Sequence, residues 1–312
     1  MTPSAQERLD RRIELGTWPS PVIDAGALRD GLFIKNDGQC HPVYSGNKVR
    51  KLEYLLAESG PRIVTFGAAG SHHVLATAVH GQAHGHEVTA VLFARPWSPH
   101  AQEVLQAATG CADLRFFNDR AEAEREFERL GHDRTSIPAG GSTATGTLGY
   151  VRAAIELAAQ VEAGLLPSPR RLFVPVGTAG TLAGLAVGVA LAGLETTIVG
   201  IRVVPHEWLP PDDVTDLCRK TAQLVDADIG NWVLDDGWLG DGYGETTAAA
   251  EAAVTAAAGI GLNLETCYTG KALAAALAAG EMTDLYWQTH NQASLQPLVQ
   301  EAPPLDPASW GW

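Results

Sequence analysis

Short runs rich in Val, Ile, Leu and Phe alternate with Ala-rich stretches of helical periodicity along almost the whole chain. The apolar runs predict strands at residues 31–35, 62–66, 87–93, 113–117, 172–175, 197–203 and 284–287. The stretches between them predict helices at 48–58, 72–83, 99–108, 121–130, 147–163, 181–194, 246–259 and 270–279. Strand and helix in such alternation are the signature of a parallel α/β architecture. No repeat of fixed period is present.

The 312 residues are too many for one small core and suggest two domains. Residues 48–159 read as a self-contained set of strand and helix pairs, which predicts a small inserted α/β domain. Residues 1–47 plus 160–312 would then form the larger domain, with a local break at Leu166-Pro-Ser-Pro-Arg170. Hydrophobic residues make up 46% of the chain and charged residues 19%, enough apolar material for a large interior.

Charge narrows the partners. Lys and Arg total 22 against 36 Asp and Glu, and a net charge of −14 argues against binding nucleic acid or an anionic membrane. A bound phosphate would have to be held locally, by backbone N–H groups at a helix N-terminus. Cys40, Cys111, Cys218 and Cys267 are widely spaced, so no metal site or disulfide framework is expected, only the reduced thiols of a cytoplasmic protein. The charged N-terminal segment lacks a signal peptide's apolar core, and the longest apolar stretch, near 182–194, is too short to span a bilayer. A soluble protein is expected.

Four segments could carry chemistry. In Ser45-Gly-Asn-Lys-Val-Arg-Lys-Leu-Glu53, Asn47 can cap the following helix and Lys48 sits at its start. Burial and the helix dipole would lower the pKa of such a lysine, giving the neutral amine that Schiff-base chemistry needs. Taken alone, the segment is described more simply as a solvated basic face of Lys48, Arg50 and Lys51. In Thr65-Phe-Gly-Ala-Ala-Gly-Ser-His-His-Val74, a glycine-containing turn leads into a helix whose N–H groups could bind a carboxylate. Ser71 would be an N-cap or a substrate-facing hydroxyl. His72 and His73 are adjacent, point in different directions and make a poor metal pair; one lining the site and a buried, hydrogen-bonded His are equal alternatives.

The third segment, Phe173-Val-Pro-Val-Gly-Thr-Ala-Gly-Thr-Leu182, is a strand, a small-residue turn and a helix, the geometry of a phosphate cradle at Gly177, Thr178, Ala179, Gly180 and Thr181. It lacks the Gly-Lys-Ser/Thr ending of a nucleotide-binding P-loop and the dinucleotide glycine spacing, so a plain turn remains open. In the fourth, Cys267-Tyr-Thr-Gly-Lys-Ala272, Tyr268 could be a general acid or base, or could pack at a helix start capped by Thr269. Gly240-Asp-Gly-Tyr-Gly244 could turn Tyr243 toward a site or be a structural turn.

In this order these segments resemble the fold-type II pyridoxal-phosphate enzymes, in particular the D-cysteine desulfhydrase and 1-aminocyclopropane-1-carboxylate deaminase family. SGNKVRKLEYLLAE resembles its Schiff-base segment, TFGAAGSHHVLATA its substrate-carboxylate segment, and GGSTATGTLGYVRAAIEL its crossing between lobes. VPVGTAGTLAGL resembles the phosphate loop, GDGYG an active-site loop and YTGKA the catalytic-tyrosine segment. The resemblance implies a two-lobed α/β fold like that of the tryptophan synthase β chain, each lobe a mostly parallel twisted sheet flanked by helices. It implies pyridoxal 5'-phosphate on Lys48, its phosphate at Gly177 to Thr181, Asn47 near the ring hydroxyl and Thr289 at the pyridine nitrogen. It also implies Tyr268 in proton transfer, Ser71, His72, His73 and Tyr243 toward a small amino-acid substrate, and a homodimer.

Departures from the family pattern bear on the substrate. Ser71-His72-His73 stands where Ser-Asn-His is usual, Gln288-Thr-His-Asn291 where His-Thr-Gly-Gly is usual, and Glu265-Thr-Cys267 where Asp-Pro-Val is common. The expected activity is that of a lyase or deaminase releasing a 2-oxo acid and ammonia by α,β-elimination or ring opening. The alternatives are β-replacement, as in cysteine synthase, and a cofactor-binding homologue without turnover.

Overall fold

The computed structural model describes residues 2–95 and 98–305. Its strands are β1 (Val22–Asp24), β2 (Leu32–Asn36), β3 (Arg62–Ala68), β4 (Glu87–Phe93), β5 (Asp113–Phe117), β6 (Thr135–Ile137), β7 (Arg171–Val176), β8 (Thr197–Arg202), β9 (Trp232–Asp235) and β10 (Asp284–Gln288). They form a six-stranded sheet of order β1-β2-β10-β7-β8-β9 and a four-stranded sheet of order β5-β4-β3-β6. Every pairing is parallel except that of the edge strand β1 with β2.

The helices are α1 (Pro3–Asp10), α2 (Asn47–Ala57), α3 (His72–Ala83), α4 (Pro99–Thr109), α5 (Arg120–Gly131), α6 (Ala144–Glu162), α7 (Gly180–Leu191), α8 (Pro211–Val225), α9 (Ala248–Ala258), α10 (Thr269–Ala278) and α11 (Gln296–Glu301). No helix among the described residues is long and apolar enough to cross a membrane.

Every predicted strand and helix is present, with ends moved by a few residues. The strands that the apolar pattern does not mark, β1, β6 and β9, are all sheet edges of three or four residues. An edge strand is buried on fewer sides and carries no continuous apolar run. Helices α1, α8 and α11 are also absent from the predicted set, although the signals of α8 are legible: it starts with Pro211, has Asp212 and Asp213 in its first turn, and buries Val214, Cys218, Ala222 and Val225 on one face.

Two features place the cleft described below. Helix α7 lies against α6, where a Cβ on Gly184 would overlap the Thr147 carbonyl and one on Gly188 would stand 2.6 Å from the Ala154 Cβ. Only glycine permits that approach. Beneath α2, a buried charge network joins the sheet to the helices. Asp37, fully buried, accepts from Arg50, Ser20, Tyr150 and Trp287 at 2.7–2.9 Å, and Glu156 binds Arg50 and Lys35. The solvated basic face is therefore incorrect for two of its three members. Arg50 and Lys51 are both 2% exposed, because α2 is packed on all sides rather than lying on the surface.

Candidate active site

A cleft opens at the carboxyl ends of β3, β4, β7, β8 and β10, between the two sheets. This is where open α/β sheets bind ligands, because the loops that follow the strands there face one another.

Lys48 stands at its floor, in the first turn of α2. The N-cap is Gly46, not Asn47 as the sequence suggested. A φ of +91° and the Thr289 carbonyl, 2.6 Å from where a Cβ would be, reserve that position for glycine. The Asn47 side chain instead bridges two neighbours. Its nitrogen donates to Thr181 Oγ1 at 3.1 Å, and its Oδ1 accepts from Lys48 Nζ at 3.0 Å. Its backbone N–H bonds the Thr289 carbonyl at 3.0 Å, tying α2 to the segment after β10. Burial lowers the Lys48 pKa to about 8.

Across from Lys48 lies the turn Gly177 to Thr181. Ala179 is left-handed, with φ 57°, and no side chain caps α7, so the first N–H groups of the helix point into the cleft unpaired. Gly180 is enclosed: a Cβ there would overlap Ser142 Oγ and stand 2.7 Å from Lys51 Nζ. Thr178 Oγ1 and Ser142 Oγ are 2.7 Å apart. Lys51 donates to the Gly140 carbonyl at 3.0 Å and to Ser142 Oγ at 3.4 Å, and meets no carboxylate among the described residues. Burial and the nearby Lys48 charge hold its pKa well below the ordinary lysine range. A buried lysine without a counter-ion, beside open helix N–H groups, is a place built for an anion.

The opposite wall is the start of α3. Ser71 is its N-cap, accepting from Val74 N at 3.5 Å, so the hydroxyl both caps the helix and lines the cleft. His72 and His73 diverge, as adjacent helical residues must. His73 is 3.1 Å from Thr65 Oγ1. His72 turns the other way, to Tyr44 and to His100. Burial drives both pKa values well below the usual histidine range, His72 further through His290 and His100, His73 through Lys48 and Lys51.

A tyrosine pair closes one side. Tyr268 donates to Tyr243 Oη at 2.8 Å, and burial raises both phenols. The structure thus brings the loop at 240–244 and the start of α10 together. Thr269 does not cap α10. Glu265 does so, accepting from the N–H groups of Cys267, Tyr268 and Thr269 at 2.7–3.1 Å. Arg95 adds a cation 5.5 Å from the Tyr243 ring centre.

Thr289 is 7% exposed and lines the cleft, with no hydrogen bond engaging its hydroxyl among the described residues. Of the altered run around it, Gln288 and Asn291 are absorbed by local bonds, to His290 backbone and to Ser45 and Ala293. His290 alone is left turned toward His72.

All the site residues expected from the sequence line this one cleft. Lys51, Glu265 and Arg95 were not expected in it. Lys51 had a signal, three residues after Lys48 and so on the same helix face. Glu265 is marked in the sequence only as a departure from the family pattern and Arg95 not at all, because only folding carries their loops to the cleft.

Comparison with known proteins agrees with this geometry. Residues 13–285 match the family model described as pyridoxal-phosphate dependent enzyme. The chain is 33% identical over 290 residues to the D-cysteine desulfhydrase of Klebsiella pneumoniae, covering 84% of this chain and 86% of the relative. It is 30% identical over 318 residues to the nocardicin C-9' epimerase of Nocardia uniformis, covering 94% and 96% of the two chains. Among solved structures, an ACC deaminase homologue superposes with a TM-score of 0.79 at 24% identity, over 96% of this chain and all of that one, which fixes the fold. The chain belongs to the pyridoxal-phosphate dependent enzyme family, with the fold-type II architecture of D-cysteine desulfhydrase and its homologues.

Proposed function

We propose that this chain is a lyase that breaks down a small amino acid to a 2-oxo acid and ammonia. In α,β-elimination the α C–H bond and the bond to the β-substituent break; in ring opening, where the α-carbon carries no hydrogen, a Cα–Cβ ring bond breaks and the β-carbon gains a proton; in both, water takes the place of ammonia at the α-carbon. The observation that carries the reading is the pairing, within one cleft, of the depressed amine of Lys48 with the counter-ion-free cradle of Lys51 and Gly180. The residues present fit pyridoxal 5'-phosphate: an anion would satisfy Lys51 and the open N–H groups of α7, and no side chain at Gly177 or Gly180 blocks it.

Bound there, the cofactor supplies an electron sink for bonds broken at the substrate's α-carbon. The chain's own groups decide the rest. Lys48 would hold the cofactor, and its free amine is placed to take the α-proton of a substrate that has one. Asn47, already on Lys48 Nζ, would be the group beside the ring hydroxyl. Thr289 offers a neutral hydroxyl to the pyridine nitrogen. A neutral hydroxyl, unlike a carboxylate, would not hold a proton on that nitrogen, so the ring would be a weaker electron sink, which suits elimination. Ser71 and the N–H groups of His72 and His73 hold the substrate carboxylate. Tyr268, oriented by Tyr243, delivers or receives the second proton.

The same reading includes a cytoplasmic homodimer built from a large domain, 1–47 plus 160–312, and a small one, 48–159. The confinement of the four-stranded sheet to strands β3 to β6 supports that division.

The test is incubation of the holoenzyme with D- and L-cysteine, β-chloroalanine and 1-aminocyclopropane-1-carboxylate, following 2-oxo acid and ammonia. Release with at least one, abolished in Lys48→Ala, is expected; release unchanged in Lys48→Ala sinks the reading. The epimerase relative favours a second reading, proton exchange at the α-carbon without loss of a group. Solvent deuterium entering the α-position with inversion and no ammonia would select it.

A further inference from the structure

Three histidines from separate parts of the chain converge at the edge of the cleft. His72 opens α3, His100 lies in the first turn of α4, and His290 follows β10. His72 Nε2 and His100 Nε2 are 2.8 Å apart, and the His72 ring centre is 5.0 Å from that of His100 and 5.0 Å from that of His290. One ring nitrogen from each lies within 4.8 Å of the others. We propose that His72, His100 and His290 form a binding site for a borderline divalent transition ion such as zinc.

The geometry is close to what such an ion needs. Tetrahedral zinc with Zn–N near 2.0–2.1 Å spaces its ligand atoms about 3.4 Å apart, so the His72–His100 pair, at 2.8 Å, would open slightly and the widest pair, within 4.8 Å, would close. The far sides of two rings are held as metal-ligating histidines usually are. The other nitrogen of His72 is bonded to the hydroxyl of Tyr44, itself buried and also bonded to the His72 carbonyl. The other nitrogen of His100 is 3.6 Å from the carboxylate of Glu103.

Hydrogen bonds within the cluster join only two of the three rings. The His72 to His100 contact uses one donor and one acceptor, and the His290 ring then has no hydrogen-bond partner among the described residues. An ion would join it to the other two. Three imidazoles with no carboxylate or thiolate in the set select zinc, cobalt or nickel over calcium or magnesium, and leave a fourth position for an exchangeable ligand. His72 and His100 come from helices packed on the four-stranded sheet, and His290 from the loop that ends the six-stranded one. A bound ion would therefore link the two sides of the cleft. His72 and His290 also stand at two of the positions where the chain departs from the pattern it otherwise resembles, and the fold puts those departures in contact. The inference stands on the histidines and not on the reaction catalysed.

Tag-free holoenzyme, stripped with a chelator and dialysed, should take up one Co²⁺ per chain with the visible d–d absorption of a tetrahedral site, and should bind Zn²⁺ in competition. Affinity should fall at least tenfold in His100→Ala and be lost in His100→Ala/His290→Ala, with the cofactor band and circular dichroism retained. On the unaltered zinc-loaded protein, X-ray absorption should show imidazole scattering near 2.0 Å. Absence of stoichiometric Co²⁺ uptake, equal uptake by the double variant, or a zinc spectrum without imidazole scattering would overturn the proposal.

Discussion

Arg50 grips Asp37 at two points, Nε to one carboxylate oxygen and a terminal nitrogen to the other, both at 2.9 Å and both out of contact with water. The pair fastens the helix that carries Lys48 to the end of β2, and Tyr150 and Trp287 bond the same carboxylate at 2.7 and 2.8 Å. Arg50→Met would leave that carboxylate buried without its main counter-charge. Breaking one side of a buried pair costs about 3–5 kcal/mol, and denaturant unfolding should show a loss of that order. A loss near zero would mean that Lys35 and the neutral donors suffice.

The pair also sets an acid limit. Arg50 holds the Asp37 carboxyl below its usual range against the opposing effect of burial. A carboxyl lowered in the folded state contributes stability that is present above its unfolded pKa, about 4, and is lost as pH falls through the folded value. Arg50→Met should therefore move the acid unfolding midpoint upward. A midpoint that stays put would show that other groups govern acid unfolding.

Lys48 reacts with an aldehyde only as the free amine. With its pKa at about 8, the rate at which cofactor-free protein captures pyridoxal 5'-phosphate should rise up to that pH and level off above it. Stopped-flow absorbance at a series of pH values checks this. An ordinary lysine would go on gaining tenfold per pH unit to about 10.

Gly180→Ala places a methyl group in overlap with Ser142 Oγ and 2.7 Å from Lys51 Nζ, so both side chains must move aside. Affinity for the cofactor should drop by about tenfold or more, equivalent to about 1.4 kcal/mol, with thermal unfolding of the cofactor-free chain little changed. Lys51→Met should weaken binding by a comparable or larger factor through loss of a charge-assisted contact worth about 1.5–3 kcal/mol. Equilibrium dialysis measures both.

Tyr268→Phe should lower kcat by about 10²–10⁴ while the cofactor stays bound, as expected for loss of a proton-transfer group. Tyr243→Phe removes only the acceptor that orients it and should cost much less. If Tyr268→Phe keeps kcat within a few-fold, the proton moves through Lys48 alone.

Local pattern was enough to read the alternation of β3, α3, β4, α4 and β5, because each of those strands is long and each helix keeps its own periodicity. It was enough for the turn at Gly177 to Thr181, whose small residues have few other uses between a strand and a helix. It placed Lys48 at a helix start. It did not reveal which cations were buried: a basic helix looks solvated until the partners of Arg50 and Lys51 arrive, and Asp37, Glu156, Gly140 and Ser142 come from up to about a hundred residues away.

The sequence by itself determined the alternating elements, the glycines of the cradle and the lysine opposite it, since each depends on neighbours within a turn or two. Only the tertiary structure decided that Glu265 caps Tyr268's helix, that Arg50 is spent on Asp37, and that His72, His100 and His290 meet. Those relations join segments far apart in the chain. Their energies come from burial and charge, which no local pattern records before the two sheets close around them.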